Sequence, residues 1–274
     1  MDTMKKAWLN AVLLIVTLAI NTLGALGLIN GLTQKQISDM YVTLITPSSA
    51  TFGIWSIIYL LLLISVIVMI ARRHDPYYQK AVDQISVLFW ISCGLNAVWI
   101  VSFSFVLVEI SSLFILGFVV VLALIGGKLL AINEGRRWLL PLSFGLYAGW
   151  LFIATVVNVA AALIKLGWDG FGLSQETWGV IMLIVAIALL SVVLLKIRNA
   201  VFPLPVAWAY FGIYQYLKSP SGFNGAYATL QIASLCGSAV LLALTAVLFI
   251  RYRFALLPFA LLPASPGKNQ VSRV

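Results

Sequence analysis

The chain has 274 residues, 62% of them hydrophobic and only 9% charged, with a formal net charge of +9. Soluble domains carry roughly 25% charged residues, so a sizeable soluble domain is excluded and an all-α polytopic membrane protein is expected. In a soluble protein the positive charge would suggest nucleic acid. Here the basic residues flank apolar runs, and no nucleic-acid partner is expected.

Charge and turn signals divide the chain into eight apolar segments, near residues 8–29, 52–70, 85–107, 111–131, 139–164, 177–196, 201–217 and 226–250. Backbone groups in lipid must be paired internally, so each segment is read as a helix. The first follows the basic start "MDTMKK" and has the look of a signal peptide. It is about a full span long and lacks a small-x-small cleavage site, so it is read as an uncleaved span. In the second, "TFGIWSIIYLLL", Phe52, Trp55 and Tyr59 share a face. In the third, "VLFWISCGLNAVWIVSFSF", the shared face holds Phe89, Ser92, Asn96, Trp99 and Phe103.

The fifth segment contains "YAGWLFIATVVN". Tyr147, Trp150, Ala154 and Asn158 are spaced 3, 4 and 4 apart, which puts them on one helical face. Gly145 and Gly149 form a G-x-x-x-G pair that lets another helix approach closely and would permit a homodimer. The run "GWDGFGLSQETW" follows, where Asp169 and Gly170 suit a turn and Ser174 suits a helix cap. The seventh segment is the shortest, with Pro203 and Pro205 near its start, where proline is tolerated.

If all eight segments cross, fourteen of the seventeen Lys and Arg residues fall on the side of the N-terminus, leaving Lys35, Lys165 and Lys218 on the other. Cytoplasmic loops are enriched in basic residues, so both termini are expected in the cytoplasm. Depth then follows from about 1.5 Å per residue. Trp55 and Tyr59 lie in the outer half, Asn96 and Trp150 near midplane, and Trp99, Ala154 and Asn158 beyond them. Interfacial belts account for Trp8, Trp138, Trp168 and Trp178. They fit the deeper Trp99 and Trp150 poorly. The combined set reads as a small-molecule pocket, since such sites are mostly aromatic with few polar groups. Packing of asparagines against neighbouring helices is the competing reading for each residue alone.

No segment carries a charged residue or histidine near its centre, which argues against a proton-coupled pump and against acid–base catalysis at midplane. Cys93 and Cys236 lie in apolar runs, and His74, the only histidine, lies in a loop. No metal site or cofactor is expected.

Three motifs carry a resemblance to a known family. "WSIIY" (Trp55 to Tyr59), "LNAVW" (Leu95 to Trp99) and "YAGWLFIATVVN" resemble, in order and separation, the W-x-x-x-Y, L-N-x-x-W and Y-x-x-W-x-x-x-A-T-x-x-N motifs of the TspO/MBR family, the tryptophan-rich sensory proteins. Two positions depart from it: Gly53 and Ile54 stand where the family often has proline, as does Leu146. The resemblance covers residues 1–167 and implies a five-helix transmembrane domain there. Residues 168–250 would form a three-helix extension and 251–274 a cytoplasmic tail. It further implies a ligand pocket covered by residues 30–49, with hydrophobic ligands such as porphyrins. Trp55 and Trp150 match tryptophans that contact tetrapyrroles, and Asn96 and Ala154 match pocket-lining positions. The ligand-binding set expected is Trp55, Tyr59, Asn96, Trp99, Tyr147, Trp150, Ala154 and Asn158. The expected function is a binding or sensory protein in the lipid bilayer of a bacterial cell. A transporter of small apolar or amphipathic solutes is the alternative, and an assembly protein or a porphyrin-degrading enzyme come behind it.

Overall fold

Helix starts are written into the sequence as caps. Asp75 accepts from the Tyr77 backbone N–H, with Pro76 in the first helical position, and Ser174 accepts from the Thr177 N–H. Thr33 and Gln36 form a reciprocal capping box. In the computed structural model, which describes residues 1–135 and 137–258, these caps open three of nine α-helices. The helices are α1 (Thr3–Ala25), α2 (Gln34–Met40), α3 (Ile54–Ala71), α4 (Pro76–Ser104), α5 (Val108–Ala131), α6 (Leu139–Lys165), α7 (Gln175–Ile197), α8 (Pro203–Lys218) and α9 (Ala228–Arg251). Among the described residues there is no strand. Arg136 and most of the expected tail, residues 259–274, lie outside the described residues.

Among the described residues, seven helices are long and apolar enough to cross a membrane: α1, α3 with its preceding 3-10 turn, α4, α5, α6, α7 and α9. The eighth expected crossing, α8, has 16 residues, about 24 Å at 1.5 Å each. It is not among the seven, and buried non-helical chain precedes it. Residues 199–202 run against α6, where Asn199 Nδ2 donates to the Pro141 carbonyl (2.7 Å) and Asn199 Oδ1 accepts from the Val201 N–H (3.0 Å). The Ala200 N–H donates to the Leu256 carbonyl at 2.8 Å. Irregular backbone is tolerated at depth only where protein satisfies it, and here the chain's own groups do so.

This arrangement also accounts for the G-x-x-x-G pair. A Cβ on Gly145 would meet Asn199 and Val201, and one on Gly149 would overlap the Phe202 carbonyl oxygen. The close approach comes from this chain's own entry into α8, so the pair presents no open seam to a second copy.

Interhelical hydrogen bonds fasten the bundle away from its ends. Asn10 of α1 donates to Ser86 Oγ (2.9 Å) and accepts from Trp90 Nε1 (2.7 Å), while Ser65 and Ser143 link α3 to α6 at 2.8 Å. Ion pairs mark both ends. Lys6–Asp83, Lys80–Glu134 and Arg137–Asp75 lie at the end that holds the start of α1, and Lys165–Glu109 lies at the other. The Trp138–Phe249 ring contact brings the end of α9 to the first of these ends. Both limits of the described chain therefore lie on one side of the bundle.

Candidate functional site

The three aromatic stripes meet. Trp55, in the first turn of α3, is the hub. Its ring stacks on Tyr59 (centroids 5.0 Å apart) and lies 6.2 Å from Trp99 of α4, 6.1 Å from Tyr147 and 6.2 Å from Trp150 of α6. Phe52 sits edge-on to Trp150 at 5.9 Å. Edge and offset contacts at these separations are the favourable arrangements for aromatic rings.

Beside this cluster is a cavity of about 430 Å³, lined on one side by residues between Gln34 and Phe52. That size falls in the roughly 300–1,000 Å³ range of small-molecule sites. Trp55, Trp99, Trp150, Ala154 and Asn158 line it. The segment expected to cover the site does so, with Gln34, Ile37 and Tyr41 from α2 and its end, and Thr46 and Pro47 from the loop, facing inward. The capping box Thr33–Gln36 starts a short helix within this cover.

The other three expected residues lie beneath the cavity, in a hydrogen-bonded network. Asn96 Nδ2 donates to the Tyr147 hydroxyl (3.1 Å), and Asn96 Oδ1 accepts from Asn21 Nδ2 (2.6 Å). The Tyr59 hydroxyl donates to Asn21 Oδ1 at 2.8 Å. Asn158 forms a second network at the cavity wall. It accepts from Trp99 Nε1 (3.2 Å) and donates to Ser112 Oγ (2.7 Å), Ser111 Oγ (3.1 Å) and the Val108 carbonyl (3.3 Å). Two polar nitrogens on cavity-lining residues, Trp150 Nε1 and Gln34 Nε2, are buried without a hydrogen-bond partner.

The charged residues lining the cavity are Lys35 and Asp39 at the rim, paired with each other at 2.6 Å. The interior offers ring faces, apolar surface and hydrogen-bond donors. It holds no nucleophile–base pair, and among the described residues no group of three metal-ligating side chains converges. Ring faces and apolar surface of this kind can hold a small molecule by burial and stacking.

A family model described as TSPO-like protein matches residues 7–248. The chain belongs to the TSPO-like family. No curated protein and no solved structure matched. The TSPO-like match runs past residue 167, the limit of the resemblance carried by the sequence motifs, and takes in α7, α8 and most of α9. The structure gives α8 a direct part in the site, because Ala209 and Tyr216 line the cavity of this TSPO-like chain. α8 also holds the cover. The Ser48 N–H donates to the Gly212 carbonyl (3.0 Å), Trp208 Nε1 donates to the Thr51 carbonyl (2.9 Å) and Ser48 Oγ to Gln215 Oε1 (3.3 Å).

Sequence reasoning left out Asn21, Gln34, Ala209, Tyr216 and the Ser111–Ser112 pair. Asn21 carried a signal, being an isolated asparagine inside an apolar run. The serine pair, at a segment end, and the α8 residues carried none. Phe52 was already on the stripe of Trp55 and Tyr59.

Proposed function

We propose that this TSPO-like chain is a membrane-embedded binding or sensory protein. It holds a hydrophobic small molecule, such as a porphyrin, in the aromatic cavity under residues 34–53. The observation that carries this reading is the 430 Å³ cavity walled by Trp55, Trp99 and Trp150. Indole faces supply stacking and apolar burial. The unpartnered Trp150 N–H favours a ligand with an acceptor atom, since a buried donor without a partner costs about 1–3 kcal/mol. The distribution of Lys and Arg supports a topology with both termini cytoplasmic and the covered cavity in the outer half.

The test is tryptophan quenching of the purified protein by protoporphyrin IX. Trp150→Ala and Trp55→Ala each remove a large ring from the wall, and affinity should fall by roughly tenfold or more, as for buried aromatic anchors. Unchanged affinity in both variants would overturn the assignment of the cavity.

A further inference from the structure

The run Trp168 to Trp178 borders a second cavity, of about 250 Å³, between the end of α6, the start of α7 and residues 42–45. Its deep wall is apolar and includes Leu163, Ile164 and Met182. Its upper wall is aromatic, with the Trp168 and Trp178 rings 4.8 Å apart. The Trp178 indole N–H donates to the Gly170 carbonyl, which fixes the ring against the turn.

One charged residue lines this cavity, Asp169. Its Oδ1 accepts from the Phe171 N–H at 2.9 Å. The adjacent cation, Lys165, is engaged by Glu109 (2.7 Å) and the Val106 carbonyl (2.7 Å), and none of the ion pairs among the described residues includes Asp169. A carboxylate without a cation therefore stands beside two indole rings in a chain of net charge +9. Carboxylates and indole faces both attract an ammonium group. Apolar side chains at the rim face outward, with Ile164 42% and Leu173 46% exposed at the level where the spans end. Met182 lies seven residues into α7, so the apolar wall descends about 10 Å from the helix start.

We propose that this cleft holds a phospholipid of the surrounding leaflet whose headgroup ends in an ammonium group. The ammonium lies against Asp169 and the Trp168 and Trp178 rings, and the upper part of an acyl chain runs along Leu163, Ile164 and Met182. The site does not depend on what fills the first cavity. The two border opposite sides of one loop, with Tyr41, Thr46 and Pro47 on the first and Val42 to Ile45 on the second.

The test uses the full chain in detergent, offered equal amounts of phosphatidylethanolamine and phosphatidylglycerol with identical acyl chains. Retained lipid is counted by native mass spectrometry. The wild type should retain the ethanolamine lipid in preference by roughly threefold to tenfold, the range expected of a partly desolvated cation–π contact with a carboxylate. Asp169→Asn keeps an acceptor for the Phe171 N–H and loses only the charge, and it should abolish the preference. Glu134→Gln changes the net charge equally at the opposite end of the bundle and should preserve it. Equal retention of both lipids by the wild type, or an unchanged preference in Asp169→Asn, overturns the proposal and leaves Trp168 and Trp178 as an interfacial belt.

Discussion

Gly212 of α8 packs directly on Thr51, the buried residue of the 3-10 turn that leads into α3. A Cβ at Gly212 would overlap Thr51 Oγ1 and come within 2.9 Å of Thr51 Cβ. This contact ties the last part of the cavity's cover to a helix that lies more than 150 residues later in the chain. Gly212→Ala should therefore loosen the cover. Overpacking of this kind costs about 1–3 kcal/mol. The expected result is a lower melting temperature, with faster amide hydrogen exchange in residues 44–53 than elsewhere. Thr51→Ala in the same chain removes the overlapping oxygen and should recover part of the loss.

Asn96 joins three helices through two hydrogen bonds, one to Tyr147 and one from Asn21. Asn96→Leu keeps a similar volume but strands the Tyr147 hydroxyl and leaves Asn21 Nδ2 with only the Thr17 carbonyl (2.8 Å) as acceptor. Interhelical hydrogen bonds in membranes average below 1 kcal/mol, with maxima nearer 2, so a loss of about 1–2 kcal/mol is expected by unfolding in mixed micelles. Asn96→Leu combined with Tyr147→Phe should cost less than the sum of the two single changes, because one stranded partner has been removed. Strict additivity would mean that the network does not act as a unit.

Much of this site was legible as periodicity. Tyr147, Trp150, Ala154 and Asn158 had to share a face because α6 is a helix, and the depth of Trp99 and Trp150 set them apart from interfacial residues. Periodicity does not say whether a polar residue faces a cavity or another polar residue. Asn96 and Asn158 are both held by polar partners, but only Asn158 also lines the cavity, and the place of Asn96 beneath it depends on where Asn21 of α1 arrives. The part played by α8 was not legible. Its 16 residues read only as the shortest apolar segment, because the buried chain at 199–202 that packs on α6 ahead of it has no sequence period. The capping box at Thr33 and Gln36 is a readable helix start, but the polar run around it carries no apolar period that marks a helix.

Gly149 offers a sharper test of how α8 enters the bundle. A Cβ there would overlap the Phe202 carbonyl oxygen, a backbone atom that cannot rotate away, and would lie 3.1 Å from Pro205 Cδ. Gly149→Val should cost about 3 kcal/mol or more, the upper range for overpacking a rigid wall, and reduce the yield of folded protein. Gly53→Ala, where a Cβ meets nothing within 4 Å, should leave both unchanged. Equal behaviour of the two variants would mean that residues 199–205 do not pack on α6 as described.

Asp75 links charge to the end of the bundle that holds the start of α1. Its carboxylate caps α4 through the Tyr77 N–H (2.9 Å) and accepts from Arg137 at 3.2 Å, while the guanidinium lies over the Tyr77 ring at 4.7 Å. Removal from water opposes ionisation of this carboxyl, but the Tyr77 backbone N–H and the Arg137 guanidinium outweigh it, and its pKa falls below the ordinary 3.8. A carboxyl with a depressed native pKa binds its proton more weakly in the folded chain than in the unfolded one. Its contribution to stability is complete above pH 3.8 and is lost as pH falls through the lower native value. Asp75→Asn retains an acceptor for the helix cap and removes the charge facing Arg137. At neutral pH the variant should melt below the wild type. As the pH is lowered through 3.8 and beyond, the two melting temperatures should converge. A gap that persists at the acid end would place the loss in the packing of the side chain and not in its charge.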